Sequence, residues 1–249
     1  MECVKNELLG DYYIMMAECM IHMLQDVGFT LKKSMRILDF GCGNGEMVQA
    51  FLALGYDTNG VDIIDCPYLD ASHYQKIEFN PYQIPYSEDS FDLVYSSSVF
   101  EHTQNTEECF REIFRVLKRG GATINALPSR YRILEPHIHV PFGGIIQSPI
   151  WLKLWAFLGI RNEFQRGLSW KEVYQRNIGY CKTGINYHSY RDLKKMILSV
   201  FGNIKVIKKE YIKNMPGSAA KLGRLFPIPG YGNLIFFFRQ WELFMVKDS

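Results

Sequence analysis

One stretch, Met35 to Asp62, constrains this chain more than any other. Arg36 to Phe40 is a short, mostly apolar run that stops at glycines, the pattern of a buried parallel strand. Gly41, Gly43 and Gly45 follow at alternate positions, and Met47, Phe51 and Leu54 then recur at helical spacing from Glu46 to Leu54. Val61 and Asp62 close a second strand, with the carboxylate at its carboxyl end. Strand, glycine turn, helix, strand is a βαβ unit. Without Cβ atoms the turn can take positive φ and let a ligand lie against bare backbone. The amide dipoles of the following helix point at whatever sits there. Asp62 is placed to accept hydrogen bonds from two vicinal ribose hydroxyls, each worth roughly 1.5–3 kcal/mol to a charged acceptor.

Spacing narrows the reading. A dinucleotide fold would carry G-x-G-x-x-G, but here the third glycine comes one residue early, and no Gly-Lys-Ser or Gly-Lys-Thr marks a phosphate loop. At 249 residues the chain is one domain of the larger sort, with ample core. A net charge of +2 gives no field for a polyanion, so nucleic acid is not an expected partner. Six cysteines are scattered with no CxxC pair, which reads as reduced thiols in a cytoplasmic protein. Met1 to Gly10 carries charges and lacks the apolar core of a signal peptide. The apolar stretches 145–160 and 234–238 are interrupted or too short to span a bilayer.

In chain order, Asp11 to Val27 reads as a helix N-capped by Asp11 and ended by Gly28; Tyr12 and Tyr13 on it could meet a ligand or serve as plain core or surface tyrosines. Strands are expected at 75–79, 92–97 and 122–127, and an amphipathic helix at 103–117 whose Lys118-Arg119-Gly120-Gly121 supplies terminal cations and cap glycines. Residues 128–188 leave the core as an insertion with helical runs at 149–158 and 170–178. A helix at 190–200, a sixth strand at 204–211, a loop or second lid piece at 213–232 and a last strand within 243–247 complete the chain.

The run Asp39-x-Gly41-x-Gly43-x-Gly45 with Asp62 resembles the class I S-adenosylmethionine-dependent methyltransferases. Ser90-Phe91-Asp92-Leu93-Val94, Phe100-Glu101-His102 and Arg115-Val116-Leu117-Lys118-Arg119-Gly120-Gly121 are similar to runs of the family called type 11, with Arg119 where that family has proline. The resemblance spans about 35–127. It implies an α/β fold, a Rossmann-like seven-stranded methyltransferase sheet flanked by helices, with an α-rich substrate-cap insertion after strand five. It divides the single domain into a core at 35–127 and 189–249, an N-terminal helix at 11–28 and the cap at 128–188. The implied cofactor is S-adenosylmethionine, held by Asp39, Gly41, Cys42, Gly43, Gly45, Asp62, Ile63, Asn80, Pro81, Ser97 and His102. In the family an amide N–H after the Asn80 position meets adenine, and Pro81 has none to give. Either Asn80 uses both ends of its side-chain amide, or another donor serves.

Methyl transfer from a sulfonium is an in-line displacement, for which alignment can contribute about 7–11 kcal/mol and a general base roughly 3–5 kcal/mol. The expected base is His139, with His137 in reserve; alternate positions share a face on an extended segment, and His188 is the third candidate. His102 is expected to orient its loop. Glu135-x-His137-x-His139 could also ligate a metal, its imidazoles suiting zinc or iron better than magnesium, but the reading taken is that no metal takes part. Arg130, Tyr131 and Arg132 point to a hydroxylated, anionic acceptor. The expected function is O-methylation of a small molecule, a sugar or sugar-like precursor of a surface glycan or secondary metabolite, by a monomer or homodimer. Two alternatives stand beside it. In one, Trp151, Leu152, Leu154, Trp155, Phe157 and Leu158 form a greasy helix that brings a lipid or quinone methyltransferase to a membrane surface. In the other, the chain is an inactive scaffold.

Overall fold

The computed structural model describes residues 2–216 and 230–248. Among the described residues seven strands form one sheet, in the order β3-β2-β1-β4-β5-β7-β6. They are β1 (Arg36–Phe40), β2 (Asp57–Asp62), β3 (Tyr74–Lys76), β4 (Phe91–Ser97), β5 (Leu117–Pro128), β6 (Lys205–Val206) and β7 (Gln240–Val246). The first five run parallel, and β7 lies antiparallel between β5 and β6. The order reverses at β1/β4, where open α/β sheets form a ligand crevice at the strands' carboxyl ends.

Alternation along β1 sends Leu38 and Phe40 to one face and Ile37 to the other. The first face is covered by α3 (Thr106–Val116) and α6 (Tyr190–Phe201), through Phe110, Ile113, Leu193 and Ile197. The second is covered by α1 (Glu2–Asp26) and α2 (Glu46–Ala53), through Met20, Leu24 and Phe51. Local chemistry starts these helices. Asn105 caps α3 by accepting from the Glu108 N–H, Ser189 caps α6 by accepting from the Asp192 N–H, and Gly202 ends α6 at φ +71°.

Several expectations are corrected. Asp11 is not a cap: α1 runs unbroken from Glu2 to Asp26 and Asp11 is an exposed residue within it. Gly28, at φ +94°, does end it, with the Phe29 N–H reaching the Leu24 carbonyl. Lys118 to Gly121 do not finish α3 but belong to β5, where the register with β4 slips between Phe91 and Leu93. Gly121 is needed there because a Cβ would stand 2.8 Å from the Lys118 carbonyl oxygen and 3.0 Å from that of Asp92. The expected strand at 204–211 stops at Val206, and α7 (Lys208–Asn214) follows. A strand would point Ile207 and Tyr211 the same way only by alternation. The four-residue helical step does so too, seating both against the second core face while Lys208 and Lys209 stay outside. β3 is shorter than expected and shifted to Tyr74–Lys76, and β7 begins earlier, at Gln240. The lid piece expected at 213–232 falls largely outside the described residues, although its ends lie in α7 and in α8 (Tyr231–Phe238).

Between β5 and α6, residues 129–189 carry α4 (Pro149–Phe157), a 3-10 turn (Glu163–Gln165) and α5 (Trp170–Thr183). These pack on one another through a small core of Ile138, Val140, Leu152, Trp155 and Ile178. Ser148 and Ser169 start the helices, the latter in a capping box with Glu172. No helix among the described residues is long and apolar enough to cross a membrane.

Candidate active site

At the carboxyl ends of β1, β2 and β4 a cavity of about 290 Å³ opens, lined by Gly41, Gly43, Asp62, Ile63, Phe79, Tyr82, Ser98, Val99 and His102 among others. The turn after β1 takes positive φ at Gly41 (+82°), Gly43 (+55°) and Gly45 (+88°). A Cβ on Gly41 would lie 2.2 Å from Val99 Cγ2, whereas one on Gly43 would meet nothing within 4 Å. Gly43 therefore opens bare backbone to the cavity. Asp62 grips this turn: its carboxylate accepts from the amides of Gly43 (2.7 Å), Ile63 (2.7 Å) and Ile64 (3.2 Å). Three bonds on a group with about four lone-pair sites leave room for one more donor, and a hydroxyl could take it.

The other expected binding residues lie elsewhere. Asp39 is buried beneath the turn, where burial first and the nearby Asp62 and Glu46 second push its carboxyl up to about 8. Cys42 turns inward; a Cβ on Gly60 would stand 2.7 Å from its Sγ. Gly45 caps α2 against Leu69 and Cys66. Asn80 and Pro81 are exposed and outside the cavity lining, whereas their neighbours Phe79 and Tyr82 form the wall. Ser97 faces a separate cavity of about 160 Å³ on the α1 side, with Met16, Met20, Asn125 and Glu242. Tyr13 lines a groove between α1 and α2 with Asn44 and Glu46 and is not among the residues lining the Asp62 cavity.

The histidines separate. Residues 135–140 are not extended: the His139 N–H bonds back to the Glu135 carbonyl (2.9 Å) and His139 sits at φ +59°. The cause is Glu135, 1% exposed. Its carboxylate accepts from the amides of His137 (2.7 Å) and Ile138 (2.6 Å), from His137 Nδ1 (2.7 Å) and from the Tyr187 hydroxyl (2.8 Å). Burial alone would raise this acid, but those bonds outweigh it and hold it below the usual carboxylate range. His137 and His139 thus do not share a face. His137 packs edge-on against His102, ring centroids 4.8 Å apart, and lines a cavity of about 370 Å³ in the insertion with Asn162 and Tyr180. His139 lines none of the described cavities. His188 hydrogen-bonds Thr106 Oγ1 through Nε2 (2.8 Å), tying the start of α6 to that of α3.

His102 forms the seam between the strand-end cavity and the insertion. Its Nδ1 bonds the Gly184 carbonyl (2.6 Å), and burial lowers its pKa. Beside it Glu101, 2% exposed, has no hydrogen-bond partner on either carboxylate oxygen among the described residues, and burial pushes it up to about 7. Glu101 falls in a run read only as a family signature. Nothing local in the sequence marks it as the buried acid beneath two histidines, because His137 arrives from 36 residues further on.

The sheet order and the crevice over a glycine turn define a Rossmann-like methyltransferase fold. Residues 38–125 match the family model of a methyltransferase domain, about a third of the chain. Over 102 residues the chain is 31% identical to a sterol 24-C-methyltransferase of Pneumocystis carinii, covering 36% of this chain and 27% of that one. Over 112 residues it is 28% identical to a ubiquinone biosynthesis O-methyltransferase of Pseudomonas fluorescens, covering 39% and 47%. A Haemonchus contortus phosphoethanolamine N-methyltransferase 2, solved with phosphomonomethylethanolamine and S-adenosylhomocysteine, superposes with a TM-score of 0.51 at 17% identity, over 91% of this chain and 52% of that one. That last likeness is one of fold. The matched stretches span about half the length, or less, of these curated relatives.

Proposed function

We propose that this chain moves a methyl group from S-adenosylmethionine to a hydroxyl of a small molecule. The observation that carries the reading is the Asp62 cavity: a carboxylate at the end of β2, bare backbone at Gly43 and apolar walls from Ile63, Phe79 and Val99. At about 290 Å³ it is near the small end of ligand pockets and takes a nucleoside. Asp62 would hold the ribose hydroxyls, Phe79 and Tyr82 would flank the base, and Asp39 would face the amino-acid end. When bound, the sulfonium supplies an already activated methyl. The protein's own work is to align the acceptor and exclude water. The junction of Glu101, His102 and His137, between the strand-end cavity and the insertion, receives the acceptor hydroxyl; the insertion acts as the cap. The sugar-like acceptor fits the charged side of this junction, where Arg132 lies close enough to bear on Glu101. Free cysteines at 19, 42, 66, 109 and 181 fit a reducing cytoplasm.

Calorimetric titration with S-adenosylhomocysteine tests the donor half. Wild-type protein should bind one equivalent and Asp62→Ala should bind far more weakly. Equal affinities would show that the nucleoside sits elsewhere.

A second reading has its own observation. On and beside α4, Ile150 is 83% exposed, Phe157 67% and Phe164 79%, with Lys153 and Lys171 flanking the Trp170 ring. Apolar residues fringed by cations suit the surface of an anionic bilayer. The sterol and ubiquinone relatives are named for lipid-like products. In this reading the acceptor is a lipid or quinone precursor. Co-sedimentation with anionic vesicles separates the two: firm, salt-sensitive binding selects the lipid acceptor, and none selects the sugar-like one.

A further inference from the structure

We propose that Glu101, His102 and His137 form a site for a divalent transition-metal ion of the zinc class, at the seam between sheet and cap. One ligating atom from each of the three lies within 4.8 Å of the others, and His102 Nε2 is 3.9 Å from Glu101 Oε1. Four-coordinate zinc at its usual bond lengths sets its ligand atoms ~3.3 Å apart, so closure needs side-chain shifts of only about 1 Å.

The imidazoles are held as ligands are held. His137 Nδ1 is fixed on Glu135 Oε1 at 2.7 Å and His102 Nδ1 on the Gly184 carbonyl at 2.6 Å. A proton on each Nδ1 leaves Nε2 with its lone pair, the arrangement in which a carboxylate or carbonyl behind a histidine orients it toward a metal. The carboxylate is the independent observation. Glu101 is 2% exposed and neither oxygen has a hydrogen-bond partner among the described residues. An acid buried in that state is costly unless something cationic completes it. Two imidazoles and one carboxylate select zinc, or a neighbour of it, over magnesium. Three protein ligands leave a fourth position open. The role given to that position rests on the methyl-transfer reading: it takes the acceptor oxygen and lowers its pKa. Binding of the ion does not rest on it.

The test uses the whole chain of 249 residues, stripped with chelator and titrated with Co²⁺ for ligand-field absorption and with Zn²⁺ by calorimetry. One equivalent should bind. His102→Ala and His137→Ala should each weaken it at least tenfold, and Glu135→Gln, which loosens the His137 ring, by about tenfold. His139→Ala should bind as wild type. His137 is half-buried rather than core, so its variant remains readable if Glu101→Gln fails to fold. Absence of both ligand-field bands and heat in the wild type would overturn the site, as would unchanged affinity in both histidine variants; either result would leave Glu101 as a neutral buried acid. S-adenosylhomocysteine titration on the same samples keeps the two proposals apart. Donor binding without metal binding sinks only the metal, and metal binding without donor binding sinks only the methyltransferase reading.

Discussion

At the scale of single residues, two acids at the ends of adjacent strands behave in opposite ways. Asp62 is met by three backbone amides; Asp39, one strand over, is dominated by burial and then by the like charge of Asp62 and Glu46. Losing Asp62 removes bonds worth roughly 1.5–3 kcal/mol each from any ribose it holds, so Asp62→Ala should weaken S-adenosylhomocysteine by about 10–100-fold in calorimetry. Asp39 gives a pH signature. Its folded pKa of about 8 keeps it neutral near pH 6, and an arriving ammonium favours its ionised form. Binding should therefore release a proton, and affinity should climb between about pH 6 and 7.5, before the ligand's own amine begins to titrate. Asp39→Asn should flatten that climb. A slope that survives the substitution would assign the proton to another group. Both acids were legible in the sequence because the glycine spacing pins them to strand ends. Their contrasting surroundings were not, since these depend on which amides the turn points inward.

At the scale of elements, the insertion is bound to the sheet by a polar hinge. The Asn186 N–H bonds the Glu101 carbonyl at 2.6 Å, its side chain bonds the Thr103 carbonyl, and Tyr187 joins Glu135. Glu135 organises the loop leading into α4. Glu135→Ala would strand two amides, an imidazole and a hydroxyl, costing about 2–4 kcal/mol. Its melting temperature should fall while affinity for S-adenosylhomocysteine, bound some elements away, stays close to wild type. Weakened nucleoside binding in a folded Glu135→Ala protein would count against the separation of cap and donor cavity. On the outer side of α4, Ile150 is 83% exposed and Phe157, 67% exposed, meets only the edge of the Trp170 ring among the described aromatic contacts, so Ile150→Ser with Phe157→Ser should cost little melting temperature. If vesicle binding occurs, the pair should abolish it. The helices of this region were readable from caps and apolar spacing. The face that α4 leaves bare was not, because periodicity identifies an apolar stripe without saying what meets it.

For the metal-free molecule as a whole, three buried acids set the pH dependence of stability. Asp39 and Glu242 are pushed up to about 8 and Glu101 to about 7, each chiefly by burial. The folded state keeps these protons while the unfolded chain sheds them near pH 4, so the folded state binds more protons across this range. Stability then falls as pH rises, until the folded groups ionise too, with a limit of about 1.4 kcal/mol per pH unit for each group. His102 and His188, held neutral by burial, act the other way, but only below about pH 6.5, where the unfolded chain would protonate them. Between about pH 6.5 and 8 the acids therefore govern, and the melting temperature should drop. Glu242→Gln should reduce the drop, and a flat profile in the wild type would show that these acids are ionised in the native state.

From its amino-acid order alone the chain declared a mostly parallel sheet, a crevice over a glycine turn and an acid at the end of the second strand. Each of these follows from short-range rules: glycines where a Cβ cannot fit, apolar alternation along a strand, a carboxylate at a strand's end. The order also marked the histidine-bearing insertion as the place where the minimal fold is left. Tertiary structure alone chose among the histidines. Glu135 wound its own loop and turned His137 away from His139, and the hinge at Asn186 brought His137 over His102 and Glu101. Contacts between residues 35 or more apart depend on how one layer docks on another, and no local periodicity encodes that.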